Sequence, residues 1–261
     1  MKLGGRSLGR ILASIFEGRH YAALWRSFRV YDFPFYRLSN YVLSTGNYPC
    51  DIKLHLKGNK LKARLNSHHD LLTVNEVFCR EDYPVSGDEK TIVDIGSNIG
   101  ISALYFLNAC PESKLFLFEP NPANIETLRA NMAPYPERVS IEESAVSDSS
   151  GMLRFGVEES GRYGGLNLEL ERQIKVKCLD INQVLSEVLT SSNSIEILKL
   201  DTEGAEIDTI NSISIEHINQ IDRIYFEEGV LSRLKLLKGE LFTEFTLKSK
   251  GNSHYLSRRE F

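Results

Sequence analysis

Thr91-Ile-Val-Asp-Ile-Gly-Ser-Asn-Ile-Gly100 is the stretch that decides how the rest of the chain is read. Its β-branched start, Thr91, Ile92 and Val93, reads as a short strand that ends at Asp94, and small residues follow at Gly96, Ser97 and Gly100. From Ile99 onward the spacing of Ile99, Ala103, Phe106, Leu107 and Cys110 predicts a helix with one apolar stripe. A strand, a glycine turn and a helix N-terminus in that order make a nucleotide-sized crevice. Glycine is needed there because the backbone turns sharply and a ligand must approach it closely.

Working outward, Lys114-Leu-Phe-Leu-Phe-Glu119 reads as a second parallel strand ending in a carboxylate, where doubly wound folds hold a ribose diol. Asn121-Pro122 then begins a helix, with Asn as the cap and Pro at the first helical position. Val139–Ser144 is a third strand, and its end at Ser144 and Ala145 lies beside the first two strand ends. Met152–Val157 and Ile174–Cys178 read as extended, with Gly161–Gly165 between them as either a lid over the crevice or a surface loop. Asp180 is a natural N-cap for a helix over Ile181–Leu189.

Ile195-Glu-Ile-Leu-Lys-Leu-Asp201 is the fourth strand of the frame, and period 2 places Lys199 beneath Asp201 on one face. A lysine inside a central strand is costly without a partner, so Asp94 or Glu227 is expected beside it. Ile224–Glu228 supplies a fifth strand, and Leu241–Leu247 with His254–Ser257 a closing antiparallel pair.

Before this frame, Asp51–Lys57, Gly58-Asn59 and Lys60–Leu65 read as a β-hairpin with alternating apolar positions. His68 and His69 are neighbours that point apart in an extended chain, so they read as loop or surface histidines rather than a metal pair. Leu71–Tyr83 reads as a short helix and Pro84–Lys90 as a linker. That divides the chain into an N-terminal extension, 1–86, and a main domain, 87–261. Residues 1–40 are basic, with Leu8, Ile11, Leu12, Ile15 and Phe16 at helical spacing and a second apolar cluster at Leu24, Trp25 and Phe28. Either this segment packs on the main domain, or it docks on a membrane surface or an acidic partner.

Composition sets the outer limits. Hydrophobic content of 42% and charged content of 25% are ordinary for a soluble globular chain of 261 residues. A net charge of −4, with no basic stripe interleaved with aromatics, excludes general nucleic-acid binding. Cys50, Cys79, Cys110 and Cys178 are scattered, which suggests reduced thiols in a cytoplasmic protein. The sequence has no apolar run long enough to span a bilayer, no secretory signal is expected because the apolar stretch Ile11–Phe16 is short and runs into Glu17 and Arg19, and the oligomeric state is left open.

Val93–Gly100, Phe118-Glu119-Pro120-Asn121-Pro122, Ala145–Asp148 and Leu198–Glu206 together resemble the FkbM family of S-adenosylmethionine-dependent methyltransferases. The resemblance covers about residues 70–250. Its most specific part is the run Lys199-x-Asp201-x-Glu203-Gly204-x-Glu206, and Asn98 stands where the first motif usually has a glycine. It implies a class I methyltransferase fold: α/β, doubly wound and Rossmann-like, a mostly parallel seven-stranded sheet with its last strands antiparallel. The N-terminal helical and hairpin extension lies outside it. The family also implies S-adenosylmethionine as cofactor and O-methyl transfer to a hydroxyl of a small-molecule, sugar, glycan or natural-product acceptor.

Carried onto this chain, the cofactor-binding residues are Gly96, Asn98 and Gly100, which would line the methionine end, with Ser97 in the same turn and Asp94 fixing it. Glu119 takes the ribose, Ser144 and Ala145 border the adenine, and Asp201 sits where the methyl points. Asp201 is the candidate catalytic acid, with Glu203, Glu206 and Glu228 behind it. Family members often carry a histidine after the fifth-strand glutamate. This chain has Glu227-Glu228-Gly229 there, so no histidine base is expected at that position. The carboxylates do not have a spacing that demands a metal, and none is expected. A NAD-dependent oxidoreductase is the first rival, but the glycine pattern that holds a pyrophosphate is missing. A non-catalytic protein that keeps the fold is the second, and the intact Asp94–Gly100 and Asp201–Glu206 runs speak against it.

Overall fold

Alternating apolar residues in 50–65 and near-continuous apolar runs in 91–118 produce two different kinds of strand, one half-covered and one buried on both faces. The computed structural model describes residues 2–3, 6–7, 18–157, 164–166, 172–202, 204–228, 231–239, 241–250 and 253–258. After a two-residue pairing of Lys2–Leu3 with Arg6–Ser7, the extension contains α1 (Gly18–Val30), α2 (Pro34–Leu43), the hairpin β1 (Cys50–Leu56) and β2 (Asn59–Leu65), and α3 (His68–Val74). A π-helical turn, Asn75–Cys79, continues α3.

The main body begins with β3 (Thr91–Ile95), α4 (Ile101–Ala109), β4 (Lys114–Phe118), α5 (Pro122–Met132) and β5 (Val139–Glu142). Next come β6 (Ala145–Ser147), β7 (Gly151–Val157), β8 (Gly164–Leu166), β9 (Arg172–Asp180) and α6 (Ile181–Leu189). The chain then forms β10 (Ile197–Leu200), α7 (Glu206–Ser212), α8 (Ile215–Ile218) and β11 (Arg223–Glu227). A 3-10 turn at Leu231–Leu236 leads to α9 (Leu241–Glu244), β12 (Phe245–Lys250) and β13 (Ser253–Arg258).

Seven strands form one sheet in the order β12-β13-β11-β10-β3-β4-β5. The five from β11 to β5 are parallel, and β13 is antiparallel to both β11 and β12. This is the mostly parallel α/β sheet the sequence implies. A four-stranded sheet, β8-β7-β9-β6, stands beside it. The caps behave as their residue types demand. The Asn121 side chain accepts from Ala123 N at 3.1 Å, and Asp180 accepts from Asn182 N at 2.9 Å and Gln183 N at 3.2 Å.

Several local expectations are corrected. Helix α4 has no exposed face: every residue from Ile101 to Ala109 is buried, because the hairpin and α3 cover the side that would otherwise meet water. His68 and His69 open α3 behind a capping box made by Ser67 and Asp70, rather than sitting in a loop. Leu241–Glu244 is a helical turn, and the last strand pair starts at Phe245. Gly164 and Gly165 pair with Val157 and Gly156 in β8, while Gly161–Tyr163 lie outside the described residues, as do Leu8, Ile11, Leu12, Ile15 and Phe16.

The extension is tied to the main body by polar contacts as well as apolar ones. Lys57 Nζ donates to Ala109 O at 3.0 Å, satisfying a carbonyl at the C-terminus of α4. Asn131 on α5 accepts from Arg64 N at 2.7 Å and donates to Arg64 O at 3.1 Å and Ile99 O at 2.8 Å. One apolar core runs from Ala23, Leu54 and Phe78 through Ile92 and Phe106 to Tyr225. A second fills the other face of the sheet around Val93, Leu198, Ile224 and α6.

Candidate active site

Strands β3 and β10 are neighbours with Asp94 opposite Lys199 in the parallel register, so the two charged side chains meet inside the sheet. Lys199 Nζ donates to Asp94 Oδ1 at 3.0 Å and to Gly96 O at 3.3 Å, and lies 3.4 Å from Asp201 Oδ2. Asp94 also accepts from Ser102 Oγ at 2.6 Å, which gives the sealed carboxylate a second donor. The expected partner Asp94 is therefore present, and β10 is an interior strand rather than an edge. Burial pulls the Lys199 ammonium down, but Asp94 and Asp201 outweigh it and hold the ammonium above its ordinary value. Removing one member of such a pair leaves an uncompensated buried charge, at a cost of about 3–5 kcal/mol.

The glycine turn wraps over the ends of three strands. Gly96 N and Ser97 N donate to Phe118 O at 2.9 and 3.0 Å, and Asp201 N donates to Ile95 O at 3.0 Å. Gly96 has φ +77, and a Cβ there would stand 1.9 Å from Asp201 O, so a side chain cannot enter without moving β10. Asn98 has φ 50; asparagine is among the few residues that tolerate that conformation, which accounts for its place in the motif. Gly100, with φ +86, lets α5 approach, since a Cβ would meet Leu128 Cδ1 at 2.7 Å.

Glu119 is buried at the end of β4, and three donors hold it: Asn98 N at 2.9 Å, Asn121 N at 2.9 Å and Asn124 Nδ2 at 3.2 Å. Burial pushes its carboxyl up to about 7, against the pull of those hydrogen bonds. A carboxylate has about four acceptor positions, so with three donors in place about one remains for a ligand hydroxyl. Ser144, next to the end of β5, has a buried hydroxyl with no hydrogen-bond partner among the described residues, and Ala145 starts β6 beside it.

The other named acids divide. Asp201 lines the crevice with its side chain one-third exposed at 33%, whereas Asp94 and Lys199 are sealed. Glu206 turns back on its own loop, accepting from Thr202 N at 2.7 Å and Gly204 N at 2.9 Å. Glu228 is buried and ion-paired with Arg233 at 3.1 Å; it is Glu227, one residue earlier, that lines the crevice. Glu203 lies outside the described residues.

Sequence reasoning missed the far wall. Asp70, Thr73 and Glu76 of the α3 segment, with Asp82 and Tyr83 behind it, face the glycine turn across the crevice. The Tyr83 ring centroid is 5.7 Å from Lys199 Nζ and 5.4 Å from the Tyr225 ring. Burial, then the charges of Glu227 and Asp201, raise the Tyr83 hydroxyl well above its ordinary value, so it keeps its proton. The one local signal was the Ser67-x-x-Asp70 capping box, which marks the start of this wall. Among the described residues, no group of His, Cys, Asp or Glu is arranged to hold a metal ion.

The model of the methyltransferase FkbM domain matches residues 94–244, more than half of the chain. The chain belongs to the FkbM methyltransferase family. Methyltransferase 1 of Beauveria bassiana is 29% identical over 204 residues, covering 67% of this chain and 78% of the relative. The 2-O-methyltransferase NoeI of Sinorhizobium fredii is 29% identical over 140 residues, 47% of this chain and 56% of its own. The 31-O-demethyl-FK506 methyltransferase FkbM of Streptomyces tacrolimicus is 29% identical over 105 residues, 39% of this chain and 40% of its own. Among solved structures, the methyltransferase FkbM of Methylobacillus flagellatus superposes with a TM-score of 0.50 at 10% identity. That superposition covers 98% of this chain and 62% of the longer one, and it shows the shared fold. This FkbM-family chain is a methyltransferase, and its family motifs coincide with the strand ends that build the crevice.

Proposed function

We propose that this methyltransferase uses S-adenosylmethionine and methylates a hydroxyl oxygen on a sugar, glycan or natural-product acceptor. The observation that carries the reading is the meeting of Asp94, Lys199 and Asp201 with the Gly96 turn at the carboxyl ends of β3 and β10. This is the switch point of the sheet, where the chain runs outward through β4 on one side and β10 on the other, and open α/β sheets bind ligands there. The residues present suit the cofactor. Glu119 keeps about one acceptor position for a ribose hydroxyl, the Ser144 hydroxyl, without a hydrogen-bond partner among the described residues, would stand at the adenine edge with Ala145, and Gly96, Ser97 and Asn98 line the crevice where the methionine end would lie. Bound there, the sulfonium supplies an electrophilic methyl group.

Asp201 lines the open crevice beside the glycine turn with Lys199 behind it, and it accepts the hydrogen bond of the acceptor hydroxyl. As the new carbon–oxygen bond formed and the methyl–sulfur bond broke, with a neutral thioether leaving, the hydroxyl proton would pass to Asp201. Lys199 fixes that carboxylate from below, and Asp94 in turn fixes Lys199. Holding the two reactants in line supplies roughly 7–11 kcal/mol of the barrier, and the positioned carboxylate about a 10²–10⁴-fold gain. The names of two relatives, a 2-O-methyltransferase and a 31-O-demethyl-FK506 methyltransferase, support oxygen as the nucleophile.

Calorimetric titration with S-adenosylmethionine, its demethylated product and NAD tests the cofactor. Binding of the first two without NAD is expected, and binding of NAD alone would overturn the reading. Asp201→Asn is expected to keep cofactor affinity within several-fold and to lower methyl transfer to a panel of glycan and macrolide hydroxyls by about 10²–10⁴-fold. Unchanged transfer would remove Asp201 from the chemistry.

A further inference from the structure

Helices α1 and α2 bury one face and leave the other bare. Ala23, Ser27 and Val30 of α1 are buried, while Leu24, Trp25 and Phe28 on the opposite face are 46%, 64% and 41% exposed. Phe35 of α2 is 77% exposed, and its ring meets Phe28 edge-on at 5.1 Å, so the two bare faces join into one. Of the twelve large apolar side chains exposed among the described residues, nine lie between Tyr21 and Leu43. Single exposed apolar residues are ordinary, but a contiguous patch of this kind marks an interaction site.

Charge is segregated in the same place. Residues 1–40 contain seven basic and two acidic side chains, and the rest of the chain carries nine more acids than bases. Between residues 18 and 43 Asp32 is the one acid, and it is engaged by His55. Arg29 lies 5.4 Å from the Trp25 ring and Arg37 lies 5.2 Å from the Tyr36 ring, so cationic groups are interleaved with the bare aromatics. Among the described residues, no helix is long and apolar enough to cross a membrane.

We propose that the joined face of α1 and α2 docks on an anionic lipid bilayer. Aromatic rings that seat at the headgroup boundary, flanked by arginines, match the chemistry of such a surface. A second copy fits less well, because a two-fold contact sets the same patch against itself and brings the arginines of both copies together, while Asp32, the one acid between residues 18 and 43, is already engaged by His55. The acidic remainder of the chain orients the molecule, since a negative bilayer repels it and attracts only this face. Arg26 on α1 donates to Cys79 O at 3.2 Å and pairs with Glu81 at 2.8 Å, just before Asp82 and Tyr83 reach the crevice. The helix that bears the docked face therefore adjoins, through its other side, the far wall of the active site.

Trp25 is the one tryptophan of the chain, so its emission reports on this face alone. The full chain is titrated with phosphatidylcholine vesicles and with vesicles that also contain phosphatidylglycerol. A blue shift and co-flotation with the second kind, reversed by salt, is the expected result. Arg29→Ala and Arg37→Ala should each weaken binding about fivefold, and Phe28→Ser with Phe35→Ser about tenfold or more. The arginine variants should retain cofactor affinity and the unfolding midpoint of the parent. An unchanged spectrum with both vesicles, or variants that bind as the parent does, would overturn the proposal. So would a dimer in sedimentation that Phe28→Ser with Phe35→Ser converts to monomer, which would assign the face to a second copy.

Discussion

Glu119 carries two pH dependences of opposite sign. Burial lifts its carboxyl to about 7 in the folded chain, above its ordinary 4.5, so the folded state holds the proton more tightly than the unfolded one. Its contribution to stability is fully present below 4.5 and is lost as pH rises through about 7. If Glu119 takes the ribose as proposed, the hydroxyl donates to the ionised form, so cofactor affinity runs the other way and falls as the carboxylate protonates. Titrations with the demethylated product should show affinity falling by up to about tenfold per pH unit below that value, while Glu119→Gln shows weaker binding without this slope. Over the same interval the melting temperature of the free parent should gain on that of the variant as pH falls. An identical slope in both proteins would assign the titration to another group.

At the scale of the element, the turn between β3 and α4 and the end of β10 are one piece, because Gly96 leaves no room between them. Gly96→Ala puts a methyl group where Asp201 O already stands, at a φ of +77, and forces β10 outward together with Lys199 and Asp201. The expected result is loss of cofactor binding together with a lowered melting temperature. Gly239→Ala, with no atom of the described residues within 4 Å of the added one, serves as the neutral control. Normal cofactor affinity in Gly96→Ala would show that the turn tolerates displacement. The reach of sequence reasoning follows the same division between local and distant causes. β3, β4, β10 and β11 are legible because parallel strands buried on both faces read as apolar runs, and their terminal acids announce the crevice. The pairing of Lys199 with Asp94 is legible because a charge inside such a strand must be matched. The choice between Glu227 and Glu228 is not, since a strand end shifted by one residue turns the side chain to the other face. The far wall escapes for another reason: Asp70, Thr73 and Tyr83 come to the site through the packing of α3 on α4, and no local pattern encodes a contact made at that distance.

For the whole molecule, the total burial of α4 makes the N-terminal extension part of the main core rather than an appendage. Leu54 in β1 has no exposed surface and belongs to the same apolar cluster as Ile92, Phe106 and Tyr225. Leu54→Ala should therefore cost about 2–5 kcal/mol, which for a chain of this size lowers the melting temperature by about 5–15 °C. If the extension folded by itself, this variant would show an early, partial transition, and the sheet and its cofactor site would melt at the parental temperature. A shared core predicts instead one transition, displaced as a unit, with far-ultraviolet circular dichroism and cofactor binding lost at the same temperature. Two separated transitions in Leu54→Ala, the second unshifted, would place a domain boundary near residue 86. A single displaced transition would mean that the far wall of the active site and the sheet that bears Asp201 are stabilised by the same contacts.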